Sequence, residues 1–203
     1  MRHGRRSRSN VLLALGAAAV TAAPLTSLER QRLVAHLEMT ESWLADEVHG
    51  LSPAQVQFRP GPGAWSILEV VDHLVVSERV YWQDFEKAMK APPRAPSRPG
   101  GDADVLWYGI DRTQRQKALP AENPKGQLPD LRAGLEAFRK LRAQMLQYVK
   151  TTGDDLRSHW VERERCDAYQ WLVLVSAHAQ RHILQIREIK AEPKFPRGER
   201  RGR

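Results

Sequence analysis

Apolar residues recur at three- and four-residue intervals over four long stretches of this chain. Each stretch is bounded by residues that start or stop helices. The first opens on Thr26-Ser27-Leu28-Glu29, a capping box in which hydroxyl and carboxylate satisfy backbone donors of the first turn. Leu33, Leu37, Leu44 and Val48 follow at helical spacing, and Gly50 ends the run. Ser52-Pro53-Ala54-Gln55 reads as a short capped turn, and Arg59-Pro60-Gly61-Pro62-Gly63 cannot continue a helix. A second long helix starts at the capping box Ser66-Ile67-Leu68-Glu69, carries the stripe Ile67, Val70, Val71, Leu74, Tyr81 and Phe85, and dies at Ala91-Pro92-Pro93. The third begins near Pro129-Asp130, buries Leu131, Leu135, Phe138, Leu141, Met145 and Val149, and stops at Thr152-Gly153. The fourth begins at Asp167 with Gln170 three residues on, turns Trp171, Leu174, Val175, Ile186 and Ile189 inward, and closes at Pro193.

No useful run of period-two alternation appears, so a sheet is not expected. Four amphipathic helices predict an all-α fold, an antiparallel four-helix bundle with a long connection between helices two and three. That connection, residues 91–128, is much longer than ordinary helix–helix links. Asp104 to Ala118 is expected to supply a short helix within it, and its length favours a crossover over a tight hairpin. The domain expected from these signals runs over residues 25–193, between an N-terminal segment 1–24 and a basic, disordered tail 194–203.

The formal net charge of +8 sits at the two ends. Arg2, Arg5, Arg6 and Arg8 lie at the start, and Lys194, Arg197, Arg200, Arg201 and Arg203 lie against Glu199 at the finish. Between positions 9 and 193 there are 23 basic and 23 acidic residues. The globular part has no basic excess to neutralise phosphates, which excludes nucleic acid as the expected partner. The single Cys166 rules out an internal disulfide and any multi-cysteine zinc site, and is expected to be an inert thiol. At the N-terminus, four arginines precede the apolar run Val11 to Val20 and the small-residue sequence Val20-Thr21-Ala22. That is the layout of a secretory signal, too short for a membrane span. Export to the periplasm is the favoured expectation; a disordered extension of a cytoplasmic protein is the alternative.

The candidate chemistry lies in the histidines. His178 and His182 are four apart on the fourth helix and therefore share a face with its inward positions. His73 sits beside Val70 and Leu74 at the edge of the apolar stripe of the second helix. Neutral imidazoles are ready ligands for zinc, nickel or iron. Two from one helix and a third from a facing helix would hold one divalent metal and leave positions open for water or substrate, as catalytic rather than structural sites do. A hydrogen-bonded core histidine is the plainer reading of each residue taken singly. His36, His49 and His159 have no comparable partners and are expected on the solvent side.

Two motifs resemble those of the DinB/YfiT-like family of metal-binding bundles. One is Pro62-Gly63-Ala64-Trp65-Ser66-Ile67-Leu68-Glu69-Val70-Val71-Asp72-His73-Leu74; the other is His178-Ala179-Gln180-Arg181-His182-Ile183-Leu184-Gln185-Ile186. The resemblance spans residues 26–196 and includes Asp111-Arg112 in the long connection. It implies a four-helix bundle whose histidine triad, here His73, His178 and His182, holds a divalent metal. It also implies that homodimers are common. Some members of the wider family resemble transferases that use a low-molecular-weight thiol such as bacillithiol or mycothiol, and others are described as hydrolases. A related domain of sulfoxide synthases carries His-x-x-x-His-x-Glu, a pattern from which this chain departs because Leu184 stands at the Glu position.

Two functions compete at this level. In one, a small-molecule substrate reacts at a metal-dependent transferase or hydrolase centre. In the other, a non-catalytic bundle binds a metal or ligand. Around the histidines, Gln185 either orients a bound ligand or bonds to a neighbouring helix. Trp107 and Tyr108 either cover the site or pin the long loop. Glu69 is committed to its cap, and Glu78 is expected in solvent.

Overall fold

The computed structural model describes residues 23–94, 100–114 and 116–197. The signal-like segment up to Ala22 and the tail beyond Arg197 lie outside these residues. Among the described residues the helices are α1 (Ser27–Val48), the one-turn α2 (Pro53–Gln57), α3 (Ile67–Lys90), α4 (Asp102–Ile110), α5 (Leu131–Thr151) and α6 (Ala168–Lys190), with a 3-10 turn at Pro120–Glu122. The long helices begin where the caps predict. Thr26, Ser66 and Asp167 each accept from the third backbone N–H of α1, α3 and α6, and Glu29, Glu69 and Gln170 return the bond to the cap.

The expected four-helix bundle is present, built from α1, α3, α5 and α6, but it is not antiparallel throughout. Val71 lies against Gly134 and Glu78 against Arg142, so α3 and α5 run parallel. Thr40 meets Ser176 and Glu47 meets Lys190, so α1 and α6 are parallel too. Across these pairs the helices are antiparallel: Glu41 faces Arg139, and Tyr81 faces Trp171. Each of α1 and α3 packs on α5 and α6, which leaves α1 and α3 on one diagonal and α5 and α6 on the other. Adjacent parallel helices cannot be joined by a hairpin. The crossover predicted for the long connection is therefore what lets α5 start at the end of the bundle where α3 starts.

On its way back the connection packs α4 along α6. A Cβ on Gly109 would stand 2.4 Å from the Ala177 side chain, so only glycine admits this approach. α4 is shorter than the helix expected from Asp104 to Ala118, because Asp111 turns the chain: its carboxylate accepts from the Thr113 N–H at 2.8 Å. Gly134 plays the matching part on α5, where an added Cβ would meet Val71 at 2.7 Å.

Four further expectations change. A two-residue ribbon, β1 (Trp160–Val161) paired with β2 (Cys166–Asp167), links α5 to α6; two residues per strand are too few to show an alternation. Leu131, Leu135 and Leu141 are only half-buried, whereas Arg142 of the same helix is wholly enclosed. Glu78, expected in solvent, is also wholly enclosed and forms a bidentate ion pair with Arg142. Within the segment expected to be a free tail, Phe195 meets the Phe58 ring edge-on at 5.5 Å, and Gln55 Nε2 donates to Pro196 O at 3.0 Å. No helix among the described residues is long and apolar enough to cross a membrane.

Candidate metal centre

α3 brings His73 and α6 brings His178 and His182 to one point between the two helices. Their Nε2 atoms are 3.0 Å (73–182), 3.1 Å (178–182) and 3.3 Å (73–178) apart. Nitrogens at about 2.1 Å from a common ion lie about 3.0 Å apart at right angles and about 3.4 Å apart at the tetrahedral angle, so the observed triangle fits one divalent ion.

The outer ring nitrogens explain why these lone pairs face inward. His73 Nδ1 donates to the backbone carbonyl of Glu122 at 2.7 Å, and His182 Nδ1 donates to Gln185 Oε1 at 2.8 Å. A ring that donates from Nδ1 in its neutral form presents a bare lone pair at Nε2. Burial pulls the pKa of all three imidazoles down, those of His178 and His182 well below the ordinary value. For both of those the charge of a neighbouring histidine adds to the effect. Lone pairs of neutral rings 3.0 Å apart repel each other unless a cation lies between them. His178 Nδ1 is buried without a hydrogen-bond partner among the described residues.

The elements that hold this arrangement are tied down in turn. Asp72, buried beside His73, accepts from the Lys125 and Gly126 N–H groups, both at 2.7 Å, and so anchors the loop that presents Glu122. The Glu122 carboxylate is itself enclosed; it accepts from Arg163 of the β1–β2 turn and from the Tyr81 hydroxyl at 3.4 Å. Arg163 lies 5.1 Å from the Tyr81 ring centre, and Tyr81 meets His178 edge-on. Trp65 stacks near His182 and closes over His73 at 4.8 Å.

The histidines open on a cavity of about 890 Å³. Trp65, Tyr108 and Leu174 give it apolar wall, and Tyr81, Glu122, Arg163, Glu164 and Arg181 give it polar wall. Burial and the carboxylate of Glu122 raise the Tyr81 pKa, so its hydroxyl keeps its proton. Burial likewise raises Glu164, with Arg163 opposing, and the Tyr108 hydroxyl bonds to it.

Of the residues singled out in the sequence, the structure gathers His73, His178, His182 and Gln185. Tyr108 reaches the cavity wall, whereas Trp107 is 66% exposed and is not among the residues that line the cavity. Glu69 keeps its capping role and also binds Arg59. His49 is exposed, as expected. His36 and His159 are half-buried, and His159 Nδ1 bonds to Ala88 O. Cys166 is buried and its thiol is pushed up to about 12, which leaves it unreactive. Sequence reasoning missed Glu122, Arg163 and Glu164, none of which sits in a local pattern; Tyr81 was visible only as a core position, and Trp65 and Arg181 only as parts of motifs.

Fold and site together define a helical bundle with a three-imidazole centre at the floor of a cavity. A profile of the DinB superfamily matches residues 29–186, and the chain belongs to that superfamily. It is 26% identical over 159 residues to the uncharacterised protein YuaE of Bacillus subtilis (strain 168), covering 74% of this chain and 91% of YuaE. Its fold is similar to that of YfiT from Bacillus subtilis, described as "a probable metal-dependent hydrolase with an unusual four-helix bundle topology". There the TM-score is 0.57 and the identity 19%, over 82% of this chain and 88% of YfiT.

Proposed function

We propose that His73, His178 and His182 hold one divalent metal ion and that the protein is a metal-dependent hydrolase acting on a small molecule. The observation that carries this reading is the Nε2 triangle, with sides of 3.0 to 3.3 Å and two of its rings locked with lone pairs inward. A metal at that point supplies a Lewis acid and lowers the pKa of a coordinated water or thiol, so that a nucleophile is available at neutral pH. The description of YfiT favours water. A low-molecular-weight thiol in its place would make the protein a thiol-dependent transferase with the same residues.

The chain's own groups divide the remaining work. Glu164, a carboxylate on the wall of the same cavity whose pKa is raised, would take up the proton of the nucleophile and return it to the leaving group. Tyr81 keeps its hydroxyl proton, donates it to Glu122 and so holds that carboxylate in the cavity wall. Trp65 and Leu174 exclude water from one wall.

Metal analysis of the purified full-length protein tests the centre. One equivalent of zinc, nickel or iron is expected, and His73→Ala, His178→Ala and His182→Ala are each expected to lose it. Full retention in all three variants overturns the reading. Hydrolysis of an ester and amide panel, run beside thiol conjugation of electrophiles, then separates the two nucleophiles. Glu164→Gln should lower the active reaction by about a hundredfold or more.

A further inference from the structure

Arg181 is an enclosed cation of the cavity wall. It precedes His182 on α6 and lines the same cavity as the histidines, yet it is only 8% exposed. Its Nη2 donates to the Gln114 carbonyl at 2.8 Å, a neutral acceptor, while Nη1 is buried with no hydrogen-bond partner among the described residues. Among the described residues no carboxylate lies within salt-bridge range of it. The acids nearby have other partners: Glu122 and Glu164 lie against Arg163, Glu188 takes Arg112 through both oxygens at 2.7 and 2.6 Å, and the exposed Asp111 accepts from Thr113. Burial and the charge of Arg112 both pull the Arg181 pKa down, with Asp111, Tyr108 and Glu188 opposing. A guanidinium does not escape by losing its proton. An enclosed cation with an unused donor is costly unless something completes it.

We infer that the cavity takes a small oxyanion, a carboxylate- or phosphate-bearing molecule, whose anionic group pairs with Arg181 while its other end reaches the three histidine nitrogens. The guanidinium matches either anion with two parallel donors. A cavity of about 890 Å³ accommodates a metabolite-sized ligand spanning both sites. The reacting end of this inference rests on the metal-centre reading proposed above. The Arg181 end does not, and the two are separable by experiment.

Calorimetric titration of the full-length protein with succinate and with inorganic phosphate tests it. The titrations are run on zinc-loaded protein and on protein stripped with EDTA and dialysed. At least one anion should bind, and the tighter of the two identifies the headgroup. Arg181→Gln should weaken that binding at least tenfold with or without zinc, while Lys117→Gln, at an exposed position of the same cavity, should leave it unchanged. If Arg181→Gln fails to fold, Arg181→Lys carries the test, because it keeps the charge but loses the paired donors and should still weaken binding. Absence of binding by either anion to the wild type, or wild-type affinity in the Arg181 variant, overturns the inference. Loss of anion binding at Arg181 together with full metal retention in the three histidine variants would uphold the anion site and sink the metal centre alone.

Discussion

Thr40, Glu78, Arg142 and Ser176 place a polar residue from each long helix inside the core. They lie between an apolar cluster around Leu33, Phe85 and Trp171 and another around Leu44, Val70 and Ile183. The histidine cluster is the second polar group in the same interior. In the first, the groups bond in two pairs: Arg142 Nε donates to Glu78 at 2.9 Å and its Nη2 binds the other oxygen, while the Thr40 and Ser176 hydroxyls lie 3.3 Å apart. Arg142 Nη1 alone lacks an acceptor, and the guanidinium lies 4.8 Å from the Phe138 ring centre. In the second, the outer nitrogens of two rings bond to the protein and the inner lone pairs converge on a point that no protein atom fills. A buried polar cluster whose charges pair with each other specifies packing, whereas one whose ring nitrogens converge on a common point suits a ligand.

The sharpest way to break this comparison is to open the closed cluster. Arg142→Met strands a carboxylate in the core and should cost about 3–5 kcal/mol in denaturant unfolding, with most of it recovered in Glu78→Leu/Arg142→Met. Burial already pushes Glu78 up to about 7 with Arg142 present. A folded pKa above the unfolded value gives stability that is full at low pH and lost as pH rises through about 7. The single variant should therefore suffer less at about pH 5 than at about pH 8. A cost under about 1 kcal/mol would show that the pair is not closed in the sense argued.

The open cluster should respond to metal instead. Zinc at a hundredfold excess over its Kd should stabilise the wild type by about 2.7 kcal/mol, and chelation should remove that gain. His178→Ala should unfold at the same temperature with or without chelator; a chelator-sensitive His178→Ala would place the metal elsewhere. Gln185→Leu removes the acceptor that orients His182. It should weaken metal binding about 10- to 100-fold, or about 1.4–2.7 kcal/mol, in a competition titration, with the metal-free fold unchanged.

The smallest expected effect is on the metal-free protein. Its three imidazoles have folded pKa values below the ordinary 6.5. The unfolded chain therefore takes protons first, so stability is full above that value and declines as pH falls below it. Unfolding midpoints that stay flat on acidification would mean the rings are not held neutral.

The four long helices were legible because their signals are local. A cap bonds three residues away, an apolar stripe repeats within a turn, and proline or glycine stops the run wherever it stands. The pair His178 and His182 was legible for the same reason, and His73 through its motif. Glu78 was misread because its partner Arg142 lies 64 positions away, and Glu122 and Arg163 carried no signal because each meets its partner across 41 or more residues. Local composition decided where helices begin, which faces turn inward and which imidazoles could meet. Only the tertiary structure decided that α3 and α5 run parallel, that α4 can lie on α6 because Gly109 has no side chain, and that Arg181 is enclosed with no carboxylate in ion-pair range among the described residues. Each of these depends on what another part of the chain brings within a few ångströms, and spacing along one segment carries no trace of it.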